Sequence, residues 1–144
     1  MNKAIQNFLH ILAPFFSSAS EFKREWKHCG NQSHNGSFEG CWNGKWISEE
    51  NGHSGNLKCV LHDLDSRRVS ALFHATYSKI LKVSYKVTLD REVSGETLKL
   101  HGRANLGTLA GGWYEYDGRI SGGHFECSYS CKYDHGRFEM KKVT

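Results

Sequence analysis

The residues best suited to hold another molecule are aromatic and share one parity of an alternating pattern. They are Trp42, Trp46, Phe73, Tyr77, Tyr85, Tyr114, Tyr116, Phe125, Tyr129 and Phe138. Rings offer flat apolar walls, and phenol hydroxyls fix orientation through single hydrogen bonds. The chemistry such a set supports is reversible, non-enzymatic binding of a small apolar or aromatic molecule. The expected ligand-binding residues are Trp42, Trp46, Phe73, Tyr77, Tyr85, Tyr114, Tyr116 and Tyr129. Small residues of the same parity (Gly44, Cys59, Ala71, Ala75 and Cys127) leave space between the rings. The competing expectation is a filled core, because a barrel of eight strands is only just wide enough for its own side chains.

Other reactive groups converge less well. His124, Cys127, Cys131 and His135 are spaced 3, 4 and 4 residues apart, as zinc ligands on a helix would be. On a strand His124 faces away from Cys127, and Cys131 lies roughly 13 Å further on, so neither a metal nor a cofactor is expected. His74 lies in mid-strand on the outer parity, where a solvated side chain is the simplest reading, although imidazole also serves in acid–base or metal chemistry. His53, in the turn Gly52-His53-Ser54-Gly55, is expected to cap the barrel mouth. Asp134 and His135 fall in the turn-like segment Lys132-Tyr133-Asp134-His135-Gly136, where an Asp stabilises a turn by bonding its own backbone. With Lys79 and Lys132 they form rim positions through which a scaffold or interaction protein would grip a partner. The sequence holds no Gly-x-Ser-x-Gly elbow, no supported Ser/His/Asp set and no inward carboxylate pair. Gly111-Gly112 leads into no helix that would bind phosphate. An enzyme is therefore the third reading.

The 144 residues suffice for one domain with a real core, and 38% hydrophobic against 24% charged residues is ordinary for a soluble globular chain. The net charge of +4 is scattered, with Arg67-Arg68 and Lys141-Lys142 as the only doublets. A nucleic-acid binder would cluster its Lys and Arg on one face. Five cysteines are an odd number and argue against a complete disulfide framework. Cys127 and Cys131 are too far apart on one strand to bridge, and Cys59 reads as a small buried hydrophobe. A reducing, cytoplasmic setting is favoured on that count.

Ile5, Phe8, Leu9 and Leu12 trace the stripe of an amphipathic helix ending near Pro14. The rival reading of residues 1–20 is a signal for secretion or the periplasm, with Lys3 as its charged start and Ala4 to Phe16 as its apolar region. Gln6, Asn7 and His10 interrupt that region. Residues 17 to 37 read as a linker, which divides the chain into a segment 1–37 and a strand-rich domain 38–144. No stretch approaches the ~18 uninterrupted apolar residues of a membrane span. The oligomeric state is not encoded in any pattern here.

These groups must be positioned by strands. Gly40 to Ser48 opens the pattern, with Trp42 and Trp46 on one face and Gly44 between them, leaving room for a neighbouring backbone or ring. Leu57, Cys59 and Leu61 follow, then Val69 to Tyr77, then Val83 to Leu89, then Leu98 and Leu100. A strand from about Leu109 to Asp117 has Tyr114 and Tyr116 inward, Trp113 and Glu115 outward, and a kink at Gly111-Gly112. Phe125 to Cys131 and a last strand with Phe138 and Met140 complete the set. Turns are expected at Asn51-Gly52, Asp65-Ser66, Ser94-Gly95, Asp117-Gly118 and His135-Gly136. A period of two marks a sheet with one buried face, and short connections imply antiparallel neighbours. The predicted fold is all-β: an antiparallel up-and-down barrel of about eight strands with a short N-terminal helix. A β-sandwich is the alternative.

Three stretches carry a resemblance: Phe73-His74-Ala75-Thr76-Tyr77 with Lys79-Ile80; Leu106-Gly107-Thr108-Leu109-Ala110-Gly111-Gly112 with Tyr114 and Tyr116; and Cys131-Lys132-Tyr133-Asp134-His135-Gly136 with Phe138 and Met140. With the opening Gly-x-Trp-x-Gly-x-Trp run, they resemble a family of uncharacterised bacterial proteins of planctomycete type, over residues 38 to 141. That resemblance implies no activity. At fold level the Gly-x-Trp on the first strand is similar to the calycins, and a shared fold does not transfer a ligand.

Overall fold

The computed structural model describes residues 17–29, 37–77, 81–105 and 112–143. Helix α1 (Ser17–Cys29) leads to β1 (Gly40–Ser48), β2 (Ser54–Asp63), β3 (Arg68–Tyr77), β4 (Leu81–Ser94), β5 (Thr97–Asn105), β6 (Trp113–Ser121), β7 (His124–Ser130) and β8 (His135–Lys142). Each strand pairs antiparallel with the next. β8 returns to β1 from Trp42↔Lys142 to Ser48↔Gly136, closing an eight-stranded antiparallel barrel. That closure excludes the sandwich. It also requires two backbones to lie very close, because a Cβ at Gly44 would run into the Glu139 carbonyl, and one at Gly136 into the Ile47 carbonyl.

Burial alternates strictly along β6 and β7, as it must where only the inner face is covered. In β3 it does not: Val69 through Phe73 are all buried. The reason is α1, which lies on the outer wall. Phe22, Trp26 and Cys29 fall at i, i+4 and i+7 and pack on the outward Cys41, Val60 and Leu72. Its polar flank is held by Glu21, whose carboxylate accepts from Lys86 Nζ at 2.6 Å, and by Glu25, 3.1 Å from His62 Nε2. Part of the segment expected as linker is thus a docked helix. The helix expected over Ile5 to Leu12 lies outside the described residues.

A disulfide joins Cys29 at the end of α1 to Cys41 on β1, with their Cα atoms 6.0 Å apart. Cys59, Cys127 and Cys131 are free. An odd cysteine count therefore conceals one bridge and three thiols, and the inference of a reducing compartment loses its basis. Two turn expectations also fail. Asp117 and Gly118 lie within β6, opposite Ser128 and Cys127, and the chain reverses instead at Gly122 and Gly123, both with positive φ. Gly118 serves the strand: a Cβ there would press on Glu126 and Cys127 at 3.0–3.1 Å. His135 and Gly136 already belong to β8, and the turn is closed earlier, where Cys131 N donates to the Asp134 carbonyl at 2.8 Å.

The interior has two unlike ends. Beside the β2–β3, β4–β5 and β6–β7 turns it is filled by Trp42, Phe125, Leu61, Leu98, Ile120 and Met140, all buried. Trp42 Nε1 donates to the Phe38 carbonyl at 2.9 Å, so the lead-in to β1 seals this floor. The opposite end carries the tyrosines. β4 and β5 are laddered only from Asp90↔His101 to Ser94↔Thr97, near the floor.

Two measurements check this account. Gly44→Ala should destabilise by about 2 kcal/mol or more in chemical denaturation, since a backbone carbonyl cannot yield as a side chain can. Replacing Cys29 and Cys41 by Ser should cost about 2–3 kcal/mol for a loop of this length, while Cys127→Ser leaves the helix docked, as read by Trp26 emission.

Candidate functional site

Phe73, fully buried at mid-barrel, is the hub of the interior rings. Its centroid lies 5.2 Å from Tyr85, 5.4 Å from Phe138 and 6.5 Å from Tyr116. Tyr129 stacks on Phe138 at 5.6 Å, Tyr114 on Tyr116 at 6.5 Å, and Trp46 leans on Tyr77 at 4.7 Å. The strand ends explain the grouping. Tyr77 and Tyr129 lie at the ends of β3 and β7 and Tyr114 at the start of β6, so antiparallel order brings these three to one end of the barrel, while Tyr85 sits opposite Phe73 at mid-barrel. Five of the eight expected ring residues are therefore linked through Phe73 and Phe138, with Trp46 and Tyr77 as a pair in the same core. Trp42 belongs to neither group: it meets Phe125 edge-on at 5.8 Å in the floor.

A carboxylate faces these phenols. Ser48 Oγ donates to Asp134 Oδ1 at 2.6 Å, and the Tyr129 hydroxyl donates to Asp134 Oδ2 at 3.2 Å. Asp134 was expected at the rim as a partner contact; its side chain instead joins the interior network. Burial raises Tyr77, Tyr85, Tyr114, Tyr116 and Tyr129 above the ordinary phenol value of 10.0, and the Asp134 charge pushes Tyr77, Tyr114 and Tyr129 further the same way. All five stay neutral, able to donate or accept. Burial likewise pushes the Cys127 thiol up to about 12 and raises Cys59, so neither is a thiolate nucleophile.

No protein-family model matches the chain, and no curated protein sequence matches it. Two solved structures are similar to it. The fluorescent protein UnaG, in the form of a point mutant, is 11% identical over 74% of this chain and 96% of that one, with a TM-score of 0.42. Fatty-acid-binding protein 1 of Echinococcus granulosus is 13% identical over 74% and 98%, with a TM-score of 0.39. The planctomycete-type resemblance finds no family model behind it.

The remaining expected residues are more dispersed. His53 is exposed in the β1–β2 turn, where its carbonyl accepts from Ser48 N at 2.8 Å. His135 Nδ1 lies 3.2 Å from the Glu50 carboxylate, and the Lys132 ammonium sits 5.6 Å from the Tyr133 ring. These three line the rim on the side of the β1–β2 and β7–β8 turns. Lys79 lies outside the described residues. His74 is not a solvated side chain: it stacks on Phe22 at 4.5 Å, and its Nδ1 meets Ser84 Oγ at 2.7 Å. Burial lowers its pKa, as do Lys82 and Lys58, so it docks the helix as a neutral ring. Among the described residues no group of three His, Cys, Asp or Glu is arranged to hold a metal.

Two residues escaped the sequence reading. Ser48 is buried at 1% exposure and follows Trp42, Gly44 and Trp46 on the inward parity, a signal that was present. Arg91 continues the inward parity of β4 beyond Leu89. It sits near the floor, 2.7 Å from Asp63 and over the Phe38 ring at 5.1 Å, with Nε buried and unpartnered.

The phenols make an alkaline prediction. Above the ordinary phenol value the unfolded chain releases protons that the folded chain keeps, so stability falls as pH rises. Phenolate absorbance should therefore lag in the native protein and appear together with loss of circular dichroism.

Proposed function

We propose that this protein reversibly binds a small apolar or aromatic molecule at the tyrosine-bearing end of its barrel, without catalysing a reaction on it. The observation that carries this reading is the uneven interior. One end is sealed by aliphatic and aromatic packing. The other holds four buried neutral phenols, the half-buried Tyr77 and a hydrogen-bonded carboxylate, more polar capacity than a barrel core needs for its own stability. Convergent polar groups set among apolar walls are the usual make-up of a small-molecule site. Ring stacking would supply affinity and the hydroxyls orientation. No catalytic role suits Cys59 or Cys127, whose thiols burial keeps protonated.

The contacts among Phe73, Tyr85, Tyr116, Tyr129 and Phe138 favour a second reading, in which the rings satisfy one another and the core is full. The protein would then act as a scaffold through rim residues such as His53, Lys132 and His135. The Cys29–Cys41 disulfide supports an oxidising compartment for either role.

Titration with methylnaphthalene separates the readings. A binder should show saturable quenching of Trp46 emission, abolished in Trp46→Phe, and added stability of about 2.7 kcal/mol at a ligand concentration one hundred times Kd. A filled barrel should show neither effect.

A further inference from the structure

We infer that the molecule held in the barrel carries a hydrogen-bond donor head, an amine or a hydroxyl, and that Asp134 is the group that receives it. This rests on the binding reading above and specifies the ligand's chemistry. The Asp134 carboxylate lies at the β7–β8 turn, and its side chain reaches back to the buried Ser48 and to Tyr129. Each of its oxygens accepts one bond in that arrangement, from Ser48 Oγ to Oδ1 and from the Tyr129 hydroxyl to Oδ2. A carboxylate oxygen accepts more than one. The two bonds fix the carboxylate in place and leave acceptor capacity on both atoms.

The direction of the remaining field also favours a donor. The Asp134 charge bears on Tyr77, Tyr114 and Tyr129 together, so it stands within the phenol cluster and not outside it. A second anion brought to that place would meet like charge in a poorly screened interior. The cations on described inward positions, Arg91 and Lys142, both lie at the opposite, floor end, where Arg91 is engaged by Asp63 and Lys142 donates to the Ser37 carbonyl. A ligand carboxylate entering beside the tyrosines therefore meets repulsion, while an ammonium or hydroxyl meets a fixed acceptor. A hydrogen bond to a charged acceptor is stronger than one between neutral groups.

Four probes sharing one ring system test this at neutral pH: naphthylmethylamine, naphthylmethanol, methylnaphthalene and naphthoic acid, each titrated against Trp46 emission of the full chain. The amine should bind about tenfold or more tighter than methylnaphthalene, with the alcohol between them and the acid weakest. In Asp134→Asn, which keeps an oxygen for Ser48, the advantage of the amine should vanish while methylnaphthalene is unaffected. If the acid binds as well as the amine, or all four bind alike, the donor-head inference is overturned and the binding site survives. If none of the four binds, both fail. The ranking in the unaltered protein decides the matter even where the variant folds poorly, and Ser48→Ala, which loosens the carboxylate, should narrow the same gap without reversing it.

Discussion

The β1–β8 ladder is the contact on which the rest of the molecule depends. Seven other ladders join strands that follow one another in the chain, but this one joins residues almost a hundred positions apart and turns a sheet into an enclosure. Its closeness is set by what is missing. Gly44 and Gly136 present no side chain where the partner backbone passes, so β1 and β8 approach without strain and Trp46 and Phe138 meet across the seam. Closure also gives each described strand a neighbour on both sides. The aromatic rings acquire a common interior only because of it.

Within that enclosure, antiparallel order sorts the chemistry. Residues near the ends of odd strands and the starts of even strands share one end, and there the inward positions include Trp46, Tyr77, Tyr114 and Tyr129, with Tyr85 opposite Phe73 below them. The opposite end receives Leu61, Leu98, Ile120 and Met140, with Trp42 bonded to Phe38 beneath them. Stability and polarity are thereby separated along one axis. The floor removes apolar area from water, and the tyrosine end keeps hydroxyls desolvated yet bonded, as with Tyr129 on Asp134.

Inward and outward parity was legible from sequence because a strand repeats every two residues, and Tyr114, Tyr116, Phe125 and Phe138 obey that rule without exception. What parity cannot show is a second layer on the outer face. Val60 and Leu72 are apolar on the outward parity, and that anomaly was the trace of α1; the charged run from Glu21 to Lys27 hid the stripe of Phe22, Trp26 and Cys29. The turn at Asp117-Gly118 was misplaced for a related reason. A glycine reads as a turn from its freedom of φ, whereas here it is required by a close neighbour in mid-strand, and the freedom is used at Gly122-Gly123. Asp134 was read through its local turn chemistry, and its reach to Ser48 depends on an 86-residue separation that no local pattern records.

The two sides of the barrel differ in how firmly they are held. On β1 to β3 the outward Cys41, Val60 and Leu72 are buried under α1, and the disulfide at Cys29 and Cys41 fastens that outer layer. β6 and β7 are covered on the inner face alone. Between the two sides runs the β4–β5 ladder, with five register pairs against ten between β3 and β4. Local opening follows the distribution of buried contacts and ladder bonds. The barrel should therefore loosen first along the β4–β5 line, at the end away from Ser94 and Thr97. Tyr114, near the β6 strand start at that end, would be the first ring uncovered, while the helix-backed wall behind Phe73 stays in place. Rigidity on one side and yielding on the other let a closed barrel keep its shape while one line of it opens.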